Sequence, residues 1–149
     1  MEQESTSDLM KILKSTEKSG FEKYEKDHLP EEPADFVAYM DAFINEKKLK
    51  RQDISQSADI SRDYGYQLLS GRSRAKNRDT LLRLFFAMGL TLKEVQRALE
   101  LYPQPPLYPK NRRDALLIIA FNKGNFTVDQ VNEWLAAHGE PELARGKNA

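Results

Sequence analysis

The sequence predicts an all-helical protein. Apolar residues recur at spacings of three and four, capping residues stand ahead of those stretches, and strand-like alternation is absent from residues 35–100. The 149 residues are 40% hydrophobic and 31% charged, with 7 Gly and 7 Pro, which suits one ordinary domain plus an appendage and argues against fibres and wholesale disorder. There is no Cys, so disulfides, thiolate nucleophiles and sulfur-ligated metals are excluded. The longest strictly apolar run, Ala115 to Phe121, is far short of the roughly 20 residues of a membrane-spanning helix. The opening MEQESTSDLM is too acidic and polar for a secretory signal. The expected location is cytoplasmic, with no membrane partner.

Residues 1–34 read as an N-terminal arm and linker. Ser7 caps a short helical stretch bearing Leu9, Ile12 and Leu13, Gly20 interrupts it, and Pro30 and Pro33 punctuate the linker. Residues 35–101 read as a helical domain. Asp35 precedes Phe36, Val37, Met40, Phe43 and Ile44, a buried stripe, and Lys47 and Lys48 close the last turn, where cations suit the helix dipole. A short helix starts near Arg51 and carries Ile54 and Ala58. Ser61 caps the next, with Tyr64 and Leu68 inside and Gly71 as its stop. Arg78 to Met88 forms another helix, ended by Gly89, and Thr91 with Glu94 makes a capping box before Leu92, Val95, Ala98 and Leu99. The predicted core includes Phe36, Met40, Phe43, Ile54, Ala58, Leu68, Leu81, Leu84 and Phe85.

Residues 102–149 read as a Pro-rich connector and a C-terminal helical pair. Tyr102 to Pro109 cannot continue a helix and is expected to be extended and packed by its two tyrosines. Asp114 to Asn122 fits a buried strand by periodicity, but Arg112-Arg113-Asp114 before it and Lys123-Gly124 after it favour a helix. Leu116, Leu117, Ile118, Ile119 and Phe121 leave that helix almost no polar side, so the bundle, the following helix or a second chain must cover it. Thr127 and Gln130 form a second capping box ahead of Val128, Val131, Trp134 and Leu135, and the last ten residues look frayed.

Net charge is zero over the whole chain but not along it. Residues 1–34 carry −4, residues 35–100 carry +3 and residues 101–149 carry +1. Between 47 and 83, ten bases face four acids, the distribution expected of a surface for an anionic partner.

Within that stretch, two short helices joined at Ala58 and Ile60-Ser61 match a helix-turn-helix. Residues 36–100 resemble the phage-repressor class of helix-turn-helix domains (lambda-repressor-like, XRE-type). Ile54-Ser55 stand where that family has Leu-Ala, Ala58 where it has a small residue and Ile60-Ser61 where it has Val-Ser. Leu68, Gly71 and the run Leu81 to Leu90 also fit, and the likeness covers under half of the chain. It implies a five-helix bundle, here with an N-terminal helical arm and a C-terminal helical pair, that binds double-stranded DNA as a transcriptional regulator with 61–70 as recognition helix. Arg62, Asp63, Tyr66, Gln67 and Ser70 fall together on the outer face of that helix. Arg62 then suits guanine, Gln67 adenine and Asp63 the amino group of cytosine, with Tyr66 divided between base contact and packing. Phosphate contacts are expected from Arg51, Ser61, Ser70, Arg72, Arg74, Lys76 and Arg78. Gly65 departs from the family, which has a buried aliphatic residue there; its absent side chain would let two helices approach closely around Tyr64.

Blander readings stand beside these. A basic helix pair can be a solvated face, Trp134 fits a core position, and Arg112-Arg113 can either bind phosphate or pin a helix. His28 and His138 are isolated, so no metal is expected, and no cofactor either. Without a phosphate-cradling Gly loop, a nucleophile elbow or HExxH, nothing points to an enzyme. The alternative function is a non-catalytic protein-interaction adaptor on the same fold. A protein partner would dock through the C-terminal helices or the N-terminal arm, and the same helices would serve a homodimer if a second chain covers them.

Overall fold

The computed structural model describes residues 35–146, and its helices begin where the capping chemistry places them. Asp35 Oδ1 accepts from the Ala38 N–H at 2.8 Å and starts α1, Phe36–Glu46. Along the chain come α2 (Arg51–Ala58), α3 (Arg62–Ser70), α4 (Arg78–Met88), α5 (Leu92–Leu101), α6 (Arg112–Lys123) and α7 (Val128–Ala137), with no strand among the described residues. Ser61, Asn77, Thr91, Asn111 and Thr127 cap their helices through their side chains, and both predicted capping boxes are formed. α2 is the exception: Lys50 precedes it without a side-chain cap. The stretch that also fitted a strand is α6. Asn111 caps it and Asp114 occupies its first turn, where a carboxylate suits the helix dipole. The N-terminal arm expected before residue 35 lies outside the described residues.

α4 is the axis of the fold. Residues Thr80 to Phe86 are buried on all sides, because α2 packs on one flank and α7 on another. All nine predicted core residues are buried. Phe36 meets Tyr102 edge-on at 4.6 Å, and Phe86 stacks on Phe121 at 3.8 Å, joining α4 to α6. The described residues from 35 to 146 therefore cluster as one unit, with the C-terminal helical pair packed on the bundle. Leu116, Leu117, Ala120 and Phe121 are covered within the chain, which leaves Ile119 as the exposed apolar residue of α6.

Two sequence expectations are corrected at the C-terminal end. Residues 140–146 are bound rather than frayed: Leu143 is buried, its N–H donates to Asn132 Oδ1 at 2.9 Å, and the Ala144 N–H donates to Asp79 at 3.0 Å. Only one of the two connector tyrosines packs. Tyr102 is 4% exposed and Tyr108 56%, and Leu107 is the second anchor, its N–H and C=O both bonded to the Gln96 amide at 2.8 and 2.9 Å.

Gly65 has a specific cause. A Cβ there would lie 1.9 Å from Ser55 Oγ and 2.9 Å from Ser55 Cβ, so the glycine lets α3 press against α2 at Ser55 rather than around Tyr64. Gly65→Ala is expected to destabilise the fold by about 1–3 kcal/mol despite alanine's better helix propensity. Adding Ser55→Gly should recover most of that loss, because the obstructing Cβ goes with it. Urea denaturation of the two single variants and the double variant checks this, and additive losses would contradict it.

Candidate nucleic-acid interface

The stretch that the sequence matches to a helix-turn-helix falls on α2, α3 and the three residues between them. Asp59 ends α2 in the left-handed region at φ 56°, which Asp tolerates better than most residues, and its N–H bonds the Ser55 and Gln56 carbonyls. Ile60 turns inward and is buried, and Ser61 Oγ accepts from the Tyr64 N–H at 3.1 Å to start α3. α3 then buries Tyr64, Gly65, Leu68 and Leu69. Burial pushes the Tyr64 phenol above its ordinary pKa, with a smaller contribution from Tyr102. The opposite face presents Arg62, Asp63 and Tyr66 exposed, with Gln67 and Ser70 half-buried beside them. This is the set predicted from periodicity. Tyr66 is 50% exposed, so of its two readings the packed one is not realised.

The cations predicted to grip phosphate fall into two groups. Arg72 and Lys76 are exposed and have no partner among the described residues, as does Arg62 on α3. Arg51 is intermediate: it pairs with Asp41 at 2.7 Å, and both side chains are about two-fifths exposed. Such a surface pair is worth roughly 0–1 kcal/mol and exchanges readily for another anion. Arg74 and Arg78 are engaged by partners from the same chain, Arg74 while remaining exposed. Arg74 donates to the Tyr102 carbonyl and lies over the Tyr102 ring at 4.4 Å. Arg78 holds Asp114 with two bonds at 2.5 and 3.1 Å and also reaches the carbonyls of Pro105 and Pro106, both at 3.2 Å. These two arginines shape the loop after α3 and fasten it to the connector, because the partners they need arrive from residues 102–114. Ser70 donates to the Gln67 carbonyl at 3.3 Å, and Ser61 is occupied as a cap.

Sequence reasoning missed several residues of this region. Lys50 and Gln52 line one surface groove with Leu49, Arg51, Arg62 and Tyr66, because the start of α2 lies beside the start of α3. The signal was available, since Gln52 shares the polar side of α2, away from Ile54 and Ala58. Ser73, in the loop after α3, places its hydroxyl 2.8 Å from Gln67 Oε1.

Beneath the turn sits a group whose role was not foreseen. Arg83 on α4 is 3% exposed and donates Nη1 to the Ala58 carbonyl at 3.0 Å and Nη2 to the Leu143 carbonyl at 2.6 Å. Its Nε reaches the Leu143 and Ala144 carbonyls, both at 3.2 Å. Desolvation lowers its pKa from the ordinary arginine value, helped by Arg145 and opposed by Asp59, Asp79 and Glu142. Arg145 in turn pairs with Asp59 in the turn itself. The end of α2 is thus tied to the C-terminal segment.

Comparison of the chain with protein-family models, curated proteins and solved structures gave no match. Among the described residues, no cluster of His, Cys, Asp or Glu could hold a metal ion, and no helix is long and apolar enough to cross a membrane.

Proposed function

We propose that the protein binds double-stranded DNA sequence-specifically as a transcriptional regulator, with α1–α5 forming a phage-repressor-like unit and α3 lying in the major groove. The observation that carries this reading is the outer face of α3. Arg62, Tyr66 and Gln67 share the outer face of a helix whose other side is buried, and Arg72 and Lys76 follow it in the chain with no partner among the described residues. Arginine and glutamine are the side chains whose paired hydrogen-bonding groups match base edges. The uncapped start of α2 adds open backbone N–H groups beside Lys50 and Arg51, an arrangement that suits a phosphate.

The sorting of the cations yields a test. Arg72→Ala and Lys76→Ala should each weaken binding to all duplexes alike and lower the slope of log K against log salt by about one unit. Salt-titrated fluorescence anisotropy on genomic fragments measures both quantities. A protein-binding adaptor on the same fold would show no DNA affinity in this assay and no response to either substitution.

A further inference from the structure

We infer that Tyr102 is a positioning residue for DNA binding: its hydroxyl fixes the backbone of the loop after α3, so that Arg72 and Lys76 stand ready for phosphates. The inference rests on the DNA-binding reading above. Residues 71–77 join α3 to α4, and Arg72 and Lys76 are exposed there with no partner among the described residues. Neither cation is held through its own side chain, so the placement of both comes from the backbone that carries them. Two bonds tie the middle of that backbone to its surroundings. The Ser73 N–H donates to the Gln67 carbonyl at 3.2 Å, and the Ala75 N–H donates to the Tyr102 hydroxyl at 2.5 Å. The second bond is buried, and its direction is fixed, because a backbone N–H only donates. Arg74 also reaches the Tyr102 carbonyl, but through a long side chain; the hydroxyl is the group of Tyr102 that grips the loop backbone itself.

Tyr102 can serve as an anchor because it is itself immobilised. Its ring is buried and stands edge-on to Phe36 of α1 at 4.6 Å, and its N–H bonds the Ala98 carbonyl at 3.1 Å where α5 ends. Without the hydroxyl, the Ala75 N–H would be left as a buried donor with no acceptor, a state avoided by moving the loop until that N–H meets water. The free protein would then hold Arg72 and Lys76 in many positions, and binding would have to gather them back into one. That ordering cost is charged against affinity. It falls on phosphate contacts, which carry no sequence information, and not on the outer face of α3, whose helix is set by its own cap and buried side. Tyr102 therefore raises affinity for every duplex without touching DNA.

The experiment is a double-mutant cycle on the full chain, read by fluorescence anisotropy at low salt with a duplex that the wild-type chain selects and a scrambled one. Tyr102→Phe keeps the ring and its packing and removes only the hydroxyl. It should weaken binding to both duplexes about three- to tenfold, the worth of one hydrogen bond, and leave their ratio unchanged. In an Arg72→Ala/Lys76→Ala chain the same substitution should cost less than about twofold, because the cations it positions are gone. Hydrogen exchange gives a readout without DNA: the Ala75 amide should exchange about tenfold faster in Tyr102→Phe, with the Leu68 amide unchanged. Equal losses in the two backgrounds, no loss in either, a loss confined to the selected duplex or an unchanged Ala75 rate each overturn the inference and leave the DNA-binding reading standing. So does a Tyr102→Phe chain that melts below the assay temperature, since the hydroxyl would then hold the fold and not the loop. Failure of the wild-type chain to bind any duplex overturns both.

Discussion

Replacing Arg83 with Met is expected to lower the free energy of unfolding by about 3 kcal/mol and to release residues 141–146 to proteases. Methionine fills much of the same space but has no donors. The carbonyls of Ala58, Leu143 and Ala144 lose the guanidinium that reaches all three, and the two on buried residues, Ala58 and Leu143, each cost about 1–3 kcal/mol when left alone. The C-terminal segment can escape part of that penalty by swinging into water. It then uncovers Leu143, whose burial is worth about 1.5–3 kcal/mol, so the loss remains of similar size. Arg83→Lys should recover only a fraction, since one ammonium group cannot span three carbonyls as a planar fork does. Urea denaturation gives the stability and limited proteolysis reports on the segment. A midpoint unchanged in Arg83→Met would show that the hydrogen bonds contribute nothing net.

The second large effect belongs to Asp114. Its side chain is 7% exposed and that of Arg78 19%, so the pair lies mostly out of water, where removing one partner strands the other. Asp114→Ala should cost about 3–5 kcal/mol. It leaves Arg78 with the carbonyls of Pro105 and Pro106 alone, and the Tyr108 N–H loses its acceptor, now at 3.0 Å. The double variant Arg78→Met/Asp114→Leu should be much less destabilised than Asp114→Ala, because apolar replacement of a buried pair is often close to neutral. Chemical denaturation of the four chains in the cycle measures the coupling. A double variant as unstable as Asp114→Ala would mean that packing around α6, and not the stranded charge, sets the loss.

Those two arginines also mark what the sequence could and could not disclose. Asp35, Ser61, Thr91 and Thr127 act on N–H groups three residues away, and Ile54, Ala58 and Leu68 sit on faces defined by helical geometry, so both were legible. The outward set of α3 was legible for the same reason. Arg74, Arg78 and Arg83 were not separable from Arg72 and Lys76 in a basic stretch, because what distinguishes them lies far along the chain: Tyr102 for Arg74, Asp114 for Arg78, Leu143 for Arg83. A charge shows in sequence; the distant acceptor that occupies it does not. Gly65 was legible as an anomaly, and its explanation needed the position of Ser55 on the neighbouring helix.

The fastening of α2 to the C-terminal segment has a consequence for synthesis. Contacts within the helix-turn-helix are local, so α2 and α3 can pair soon after they leave the ribosome, whereas Arg83 must wait for acceptors 60 residues further on. At about 5–20 residues per second, translation imposes a delay of roughly 3–12 s. Throughout that interval Arg83 lacks the Leu143 and Ala144 carbonyls, Asp59 lacks Arg145, and the turn between the two helices rests on its backbone hydrogen bonds, the Ser61 cap, the burial of Ile60 and the Ala58 carbonyl's bond to Arg83. A nascent chain halted before Leu143 would carry the outer face of α3 without the clamp beneath it.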